Sequence, residues 1–207
     1  MTDCICLIPA RGGSKGIPAK NLHPLAGRQL VIWTIRQAMA ADIGPVIVVT
    51  DSPEIAKVAD AWGVTVYQEP AEIAGDSVSM EEVMAWFLGQ CRERSGRLPD
   101  WLIVLQPTSP LRLSLMIREA WAVARSGAFD SVFSVVPSAH CSWRYQGEQI
   151  QMEWPQETQG KPRRRMLRQH AGRQVTENGA IYAVRTHRFL EEETRFCGRI
   201  YAYEMPL

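Results

Sequence analysis

A short apolar segment that runs directly into a glycine-rich, positively charged loop is the feature that most limits how this chain can fold. Residues 4–8 have the composition of a buried strand, and the loop that follows, residues 9–21, reads PARGGSKGIPAKN. Its glycines let successive backbone N–H groups point toward one bound anion, since glycine has no Cβ that would block the approach of the anion. Arg11, Lys15 and Lys20 add three positive charges to the same loop. The pattern predicts a strand followed by a phosphate-binding loop, and it favours a nucleoside triphosphate as the ligand.

Two common phosphate-binding motifs do not account for this loop. A P-loop places Lys and then Ser or Thr directly after its last glycine, whereas Lys15 precedes Gly16. The dinucleotide fingerprint GxGxxG is absent as well. An ordinary strand-to-helix turn is the alternative, but such a turn does not need a cluster of cations. We therefore expect a phosphate site of another type.

Length and charge limit the number of domains and the class of ligand. A chain of 207 residues with 46% hydrophobic residues can bury one sizeable core, and we expect a single domain, residues 1–207. The formal net charge of +1 provides no overall positive field. Anion binding must therefore depend on local charges, and nucleic acid is not an expected partner.

The cysteines and the hydropathy pattern predict a soluble, cytoplasmic protein. Five cysteines are scattered along the chain without CxxC spacing, which indicates reduced thiols. Cys4 and Cys6 fall on one face of the first predicted strand, where core residues are the expected interpretation and metal ligands the alternative. No secretory leader opens the chain, and no apolar segment approaches the length of a membrane span. No membrane partner is expected.

Apolar segments with strand character alternate with segments of helical period over most of the chain. This alternation is typical of an α/β fold with a mostly parallel sheet and crossover helices. The predicted strands are residues 4–8, 46–49, 64–67, 101–105, 131–136, 178–184 and 199–203. The predicted helices are residues 30–39, 53–62, 80–94, 114–126 and 189–193, with Asp51 or Ser52 and Ser114 as expected caps.

The alternation stops between residues 137 and 173. Aromatic and apolar residues recur there at period two on both sides of a turn at residues 146–149, namely Trp143, Tyr145, Ile150, Met152 and Trp154. The pattern predicts a hairpin with one apolar face, which cannot be stable alone and must be covered. We expect this excursion, residues 137–173, to be a dimerisation arm; an internal flap is the alternative.

Four sequence motifs occur in order along the chain. They are PARGGSKGIP and KN within residues 9–21, TDS at residues 50–52, LQPTSPLR at residues 105–112, and RQ at residues 168–169 followed by ENGAIY at residues 177–182. In these motifs the chain resembles the acylneuraminate cytidylyltransferases, the CMP-sialic acid synthetase family. The resemblance implies a Rossmann-like, three-layer nucleotidyltransferase fold and a homodimer.

The resemblance also implies a reaction and its substrates. CMP is transferred from CTP to the anomeric hydroxyl of a sialic-acid-like 2-keto-3-deoxy sugar acid, and pyrophosphate leaves. Such a transfer needs the hydroxyl in line with the α-phosphorus and cations beside the phosphate oxygens, more than it needs covalent chemistry.

The nucleotide is expected to bind the loop. The expected nucleotide-binding residues there are Arg11, Gly12, Gly13, Ser14, Lys15 and Asn21. Charged side chains and loop amides of this set can hold the triphosphate. By the resemblance, Lys20 lies near the α-phosphoryl group, and Arg11, Lys20 and Gln106 are the expected catalytic residues.

The sugar acid is expected to contact residues of the later motifs. By the resemblance these are Gln106, Arg168, Asn178 and Tyr182. Gln106 ends a predicted central strand, where open α/β sheets present ligand groups, although an amide that holds a loop is the alternative. Arg168 resembles an arginine that binds the acceptor carboxylate, commonly from the partner subunit, and this suits a planar guanidinium.

Two departures from the family pattern concern the base and the metal. Glu69 stands where the family has an arginine associated with the cytosine ring, so we expect Glu69 to accept a hydrogen bond from the cytosine amino group. The family implies Mg²⁺ held by an Asp-x-Asp after the strand corresponding to residues 199–203, and no such pair occurs before Leu207. We assign no metal ligand. Asp51 and Asp76 are distant candidates, for which a helix cap or loop carboxylate is the expected role.

These departures leave two alternatives to an active cytidylyltransferase. One is a nucleotide-binding homologue without catalytic activity, acting as a regulatory or partner subunit. The other is a sugar nucleotidyltransferase that uses a different base.

Overall fold

A seven-stranded sheet forms the centre of the protein. The computed structural model describes residues 3–138, 143–146, 149–152 and 174–206. The strands of the sheet are β1 (Cys4–Pro9), β4 (Val46–Thr50), β5 (Thr65–Gln68), β6 (Trp101–Val104), β7 (Ser131–Pro137), β10 (Val175–Arg185) and β11 (Ile200–Glu204), in the spatial order β11-β7-β10-β6-β1-β4-β5. β10 runs antiparallel to its neighbours β6 and β7, and the other pairs are parallel. The predicted mostly parallel α/β sheet is confirmed.

Helices cover both faces of this sheet. They are α1 (Leu30–Ala41), α2 (Pro53–Asp60), α3 (Met80–Ser95), α4 (Ser114–Arg125) and α5 (Thr186–Glu192). Because alternate strand residues point to opposite faces, Ile8 packs in one apolar cluster with α1, α2 and α4, and Leu7 packs in the other with α3 and α5. Cys4 and Cys6 are buried in the first cluster, as their core interpretation predicted. The result is the predicted three-layer arrangement.

Local capping signals explain where two helices begin. Ser52 caps α2, since its hydroxyl accepts a hydrogen bond from the Ile55 amide at 3.3 Å. Ser79 caps α3 in a reciprocal arrangement, in which the Glu82 carboxylate accepts from the Ser79 amide at 2.6 Å. Ser114, by contrast, is the first residue inside α4 and not its cap, because Leu113 precedes the helix in an extended conformation.

Short hairpins complete the described structure. β2 (Pro24–Leu25) pairs with β3 (Arg28–Gln29), a hairpin that the sequence analysis did not predict. β8 (Trp143–Gln146) pairs with β9 (Gln149–Met152) in antiparallel register, which confirms the predicted hairpin in its backbone. The rest of the predicted arm between residues 139 and 173, with Trp154 and Arg168, lies outside the described residues, so the dimerisation role stays a prediction. Among the described helices, none is long and apolar enough to cross a bilayer.

Candidate functional site

A pocket opens at the carboxyl ends of β1 and β6, where an open parallel sheet presents its ligand groups. Its volume is about 290 Å³. The loop after β1 forms one wall, the segment between β5 and α3 forms the opposite wall, and the residues that follow β6 close a third side. Seven of the residues predicted from sequence line it, namely Arg11, Gly13, Ser14, Lys20, Asn21, Glu69 and Gln106.

The two cations at the start of the loop reach across to the opposite wall. The Arg11 guanidinium lies 2.9 Å from one carboxylate oxygen of Asp76, and the Lys15 ammonium lies 2.9 Å from the other. Arg11 also donates to the Gly75 carbonyl oxygen at 3.2 Å. The hydrogen bond from Lys15 and the charge of Arg11 hold the pKa of Asp76 below its usual value. The cations predicted to bind phosphate therefore converge on one anionic group.

Gly12 stabilises the loop through a close approach to the β4–α2 junction. Its amide donates to the Asp51 carboxylate at 2.6 Å. A Cβ at this position would lie 2.9 Å from the Cβ of Ser52, closer than such atoms pack. Asp51 thus acts as the loop carboxylate that the sequence analysis favoured over a metal ligand. The predicted contact of the Gly12 amide with phosphate stays a prediction, because this amide already has an acceptor.

Asn21 also connects parts of the loop. It lies in the 3-10 turn Lys20–Leu22, is 8% exposed, and donates from its side-chain amide to the Arg11 carbonyl oxygen at 2.9 Å. This bond sets the path of the chain beside the pocket. Lys20, in the same turn, lines the pocket and forms no ion pair with any described residue. Its charge is therefore available to a ligand.

Glu69 is a buried carboxyl group in the pocket wall. It is 5% exposed, and its amide donates to the Thr50 carbonyl oxygen at 3.0 Å. No described residue forms a hydrogen bond or ion pair with the carboxyl group itself. Burial, and then the negative charge of Asp51, raise the pKa of Glu69 to about 7, while Arg11 opposes the shift. At neutral pH the group can therefore be either a hydrogen-bond donor or an acceptor.

The raised pKa of Glu69 predicts a pH-dependent gain in stability for the Glu69→Gln variant. In the unfolded chain the carboxyl ionises near pH 4.5, but in the folded protein it ionises near pH 7. Folded wild-type protein therefore loses stability as pH rises between these values. We expect Glu69→Gln to raise the free energy of unfolding by about 2 kcal/mol at pH 8 and hardly at all at pH 4.5. Urea denaturation at both pH values measures this.

The neighbouring Glu72 provides a matched control for this measurement. Glu72 lies in the same segment and is exposed, so Glu72→Gln should leave the pH profile of unfolding unchanged. A Glu69→Gln variant with the same pH profile as wild type would contradict the assignment of a buried carboxyl group with a raised pKa.

Gln106 is held between β6 and a bulge in β10. The register of β10 against β7 shifts between Glu177 and Tyr182, and Gly179 within this bulge has φ +72°. A Cβ on Gly179 would lie 2.9 Å from the Gln106 side-chain oxygen. Glycine is needed here both for its left-handed backbone and for this close approach. Asn178-Gly179 is a dipeptide typical of turns, and the predicted strand began there, whereas the structure places both residues inside a longer strand that begins at Val175.

Tyr182 and Asn178 contact protein groups and do not line the pocket. Tyr182 is 2% exposed, and its hydroxyl donates to the Glu177 carboxylate. Burial and this neighbouring carboxylate raise the pKa of Tyr182, so its hydroxyl stays protonated. The Asn178 side-chain oxygen accepts from the Ser134 hydroxyl at 2.6 Å, which stabilises the bulge. Their predicted contacts with the sugar acid stay predictions.

The buried Arg112 stabilises the segment that carries Gln106, and this role was not predicted from the sequence. It is 1% exposed, and burial lowers its pKa to about 10. Its guanidinium donates to four acceptors, the carbonyl oxygens of Gln106 and Ala180 and the side-chain oxygens of Thr34 and Gln37. These bonds connect the residues after β6 with β10 and α1. The sequence signal was an arginine inside the LQPTSPLR motif, next to apolar residues.

The described residues do not provide a carboxylate cluster for Mg²⁺. No group of three His, Cys, Asp or Glu side chains that could hold a metal ion occurs in the described part of the chain. Asp51 accepts from the Gly12 amide, and both oxygens of Asp76 contact cations. Neither is therefore arranged as a ligand for a divalent cation, and no catalytic step is assigned to them.

Comparison with known proteins identifies the family. Residues 5–192 match the family model described as cytidylyltransferase. The chain belongs to the cytidylyltransferase family. It is 36% identical over 200 residues to N-acylneuraminate cytidylyltransferase B of Danio rerio, covering 97% of this chain and 46% of that protein. It is 31% identical over 209 residues to N-acylneuraminate cytidylyltransferase of Streptococcus agalactiae serotype V, covering 97% of this chain and 48% of that protein. The chain thus spans about half the length of these relatives.

Solved structures share the fold of this chain. CMP:2-keto-3-deoxy-manno-octonic acid synthetase in complex with CTP aligns with a TM-score of 0.70 and 16% identity, covering 99% of this chain and 90% of that chain. A 4-diphosphocytidyl-2C-methyl-D-erythritol synthase also aligns with a TM-score of 0.70, at 13% identity, covering 100% of this chain and 90% of that chain. At these identities the comparison establishes the three-layer nucleotidyltransferase fold.

Proposed function

We propose that this chain is a cytidylyltransferase that transfers CMP from CTP to the anomeric hydroxyl of a sialic-acid-like 2-keto-3-deoxy sugar acid and releases pyrophosphate. The observation that carries the proposal is the convergence of Arg11 and Lys15 on one anion beside a pocket that Lys20 and Gln106 also line. The names of the N-acylneuraminate relatives support the class of acceptor.

The side of the pocket formed by the loop after β1 provides the positive charge that this reaction needs. The acceptor hydroxyl attacks the α-phosphorus and gives up its proton to solvent, the bond from the α-phosphorus to the bridging oxygen breaks, and pyrophosphate leaves with the negative charge. Arg11 and Lys15 stabilise the leaving phosphates, and the Gly13 amide and Ser14 hydroxyl add donors on the same wall. Lys20 stabilises charge that develops on the α-phosphoryl oxygens.

Base recognition is assigned to Glu69. Its carboxyl group has no described hydrogen-bond partner and lies in the pocket wall, so a ligand with N–H groups can satisfy it. The cytosine amino group is such a donor, and a protonated Glu69 could also donate to the ring nitrogen beside it. Asn21 lines the same pocket, and we assign it to the sugar or phosphate of the same nucleotide.

Acceptor binding is assigned to Gln106 with Arg168, Asn178 and Tyr182. Gln106 projects from the end of β6, where its amide can orient the sugar acid. Arg168 would bind the acceptor carboxylate from the second subunit of a homodimer. Family resemblance also leads us to expect a requirement for Mg²⁺, although no described residue is assigned as its ligand.

A turnover assay tests this function. Pyrophosphate release is measured with CTP and a panel of eight- and nine-carbon keto-deoxy sugar acids, with and without Mg²⁺. We expect release that depends on both substrates, with UTP, GTP and ATP giving at most about a tenth of the CTP rate. CTP binding without turnover on the whole panel would instead favour the catalytically inactive homologue. Equal rates with another nucleotide would contradict the assignment of the base.

A further inference from the structure

Asp76 occupies the position in which the loop cations would meet a phosphate group. Each of its carboxylate oxygens contacts a different cation at 2.9 Å, one on Arg11 and one on Lys15. These two residues lie in the loop after β1, whereas Asp76 comes from the opposite wall of the pocket. A carboxylate and a phosphate present similar oxygens to a guanidinium and compete for the same donors.

A second contact joins the segment that carries Asp76 to the glycine-rich loop after β1, and it also involves Arg11. The Gly75 carbonyl oxygen accepts from the other terminal nitrogen of Arg11 at 3.2 Å. Both outer nitrogens of the guanidinium are therefore engaged by residues 75–76. A nucleotide phosphate that approaches the face of Arg11 formed by these two nitrogens competes with residues 75–76 for them.

The exposure of the ion-paired side chains and the small volume of the pocket indicate that the contacts of Asp76 with Arg11 and Lys15 can break. The side chain of Asp76 is 44% exposed and that of Lys15 is 83% exposed, so packing does not hold the pair closed. The pocket has a volume of about 290 Å³. Sites for small molecules usually have volumes of about 300–1,000 Å³, and a nucleoside triphosphate with a sugar acid is a large ligand pair. The described pocket is thus small for the proposed substrates.

We propose that Asp76 is an internal counter-ion of the phosphate loop, which the nucleotide must displace and which therefore sets nucleotide affinity. This inference rests on the proposed function, because it assumes that the loop binds nucleotide phosphates. In the absence of nucleotide, Asp76 keeps Arg11 and Lys15 close together and limits their mutual repulsion. On binding, the phosphates take over both cations, and the two ion pairs with Asp76 are lost. The depressed pKa of Asp76 agrees with the observed pairing.

Removing the counter-ion should therefore strengthen nucleotide binding, the reverse of the usual effect of substituting a polar residue that lines a site. We expect the dissociation constant of CTP to be about threefold to tenfold lower in Asp76→Asn than in wild type, given what exposed ion pairs contribute. The difference should shrink as salt is raised, since exposed ion pairs are screened. Glu72→Gln removes an exposed carboxylate from the same segment and should leave the dissociation constant unchanged.

Isothermal titration calorimetry of the full chain with CTP and, separately, with inorganic tripolyphosphate tests the proposal. Tighter binding of tripolyphosphate and CTP to Asp76→Asn supports it. Equal or weaker binding by this variant overturns it, and weaker binding would instead indicate that Asp76 contacts the ligand. If the variant binds tripolyphosphate more tightly but neither protein binds CTP, the proposed function is wrong, and the role of Asp76 as a counter-ion is still supported. A wild-type chain that binds neither probe would overturn both.

Discussion

Replacement of Arg112 by alanine is expected to lower the free energy of unfolding by about 3–5 kcal/mol. The guanidinium is fully buried and donates to groups in three parts of the fold, including the Ala180 and Gln106 carbonyl oxygens. Alanine removes all four side-chain hydrogen bonds, leaves the Gln106 carbonyl oxygen with only the bond from the Ser109 amide, and creates a cavity beside the sheet. Urea denaturation at pH 7, followed by tryptophan fluorescence, measures the loss.

Two further variants separate the lost hydrogen bonds from the cavity. Arg112→Met fills much of the volume but donates no hydrogen bond, so we expect it to recover only part of the loss. Arg118→Met serves as a control, because Arg118 is an exposed arginine on α4, the helix that begins two residues after Arg112, with one hydrogen bond to the Ala40 carbonyl oxygen. It should change stability by less than about 0.5 kcal/mol. An Arg112→Ala protein that is nearly as stable as wild type would disprove the supporting role.

Replacement of Lys20 by methionine is expected to reduce kcat by about 100- to 1,000-fold while stability changes little. Lys20 lines the pocket, and its ammonium group forms no ion pair with a described residue, so its charge is free for the α-phosphoryl group. Methionine keeps much of the side-chain length but removes the charge. Steady-state kinetics with CTP and the acceptor found in the turnover assay measure the effect.

The comparison of kcat with KM distinguishes a catalytic lysine from a general phosphate-binding cation. A residue that stabilises the transition state lowers kcat and kcat/KM together, whereas uniform binding of substrate changes KM alone. Lys57→Met, an exposed lysine on α2, is the matched control and should retain full activity. An unchanged kcat with a raised KM for CTP in Lys20→Met would reassign Lys20 to nucleotide binding.

Much of the fold was predictable because its signals are local. The strand-to-loop transition at residues 4–16, the capping residue Ser52, and the alternation of strands with helices depend on neighbours a few residues apart. The alternation of side chains along a strand also predicted that Cys4 and Cys6 would share one face of the first strand, and both are buried in one apolar cluster. The same reasoning failed for the start of β10, because Asn178 and Gly179 form a bulge as readily as a turn.

The site was predictable in its composition but not in its contacts. Sequence placed Arg11, Lys20 and Gln106 near one another, because the carboxyl ends of neighbouring parallel strands share one edge of the sheet. It gave no indication that Arg112 would be buried beneath Gln106 or that Asp76 would pair with two cations. These contacts join residues far apart in the chain, such as Arg112 and Ala180, 68 positions apart.

The amino-acid sequence by itself determined the layered α/β architecture, the cationic glycine-rich loop and the family, since periodicity and short motifs encode them directly. Tertiary structure alone decided the ionisation of Glu69, the support of Gln106 by Arg112 and the pairing of Asp76 with Arg11 and Lys15. The physical reason is that burial and electrostatic interaction depend on which distant segments meet. A glutamate has an ordinary pKa in water, and only the surrounding folded protein changes it.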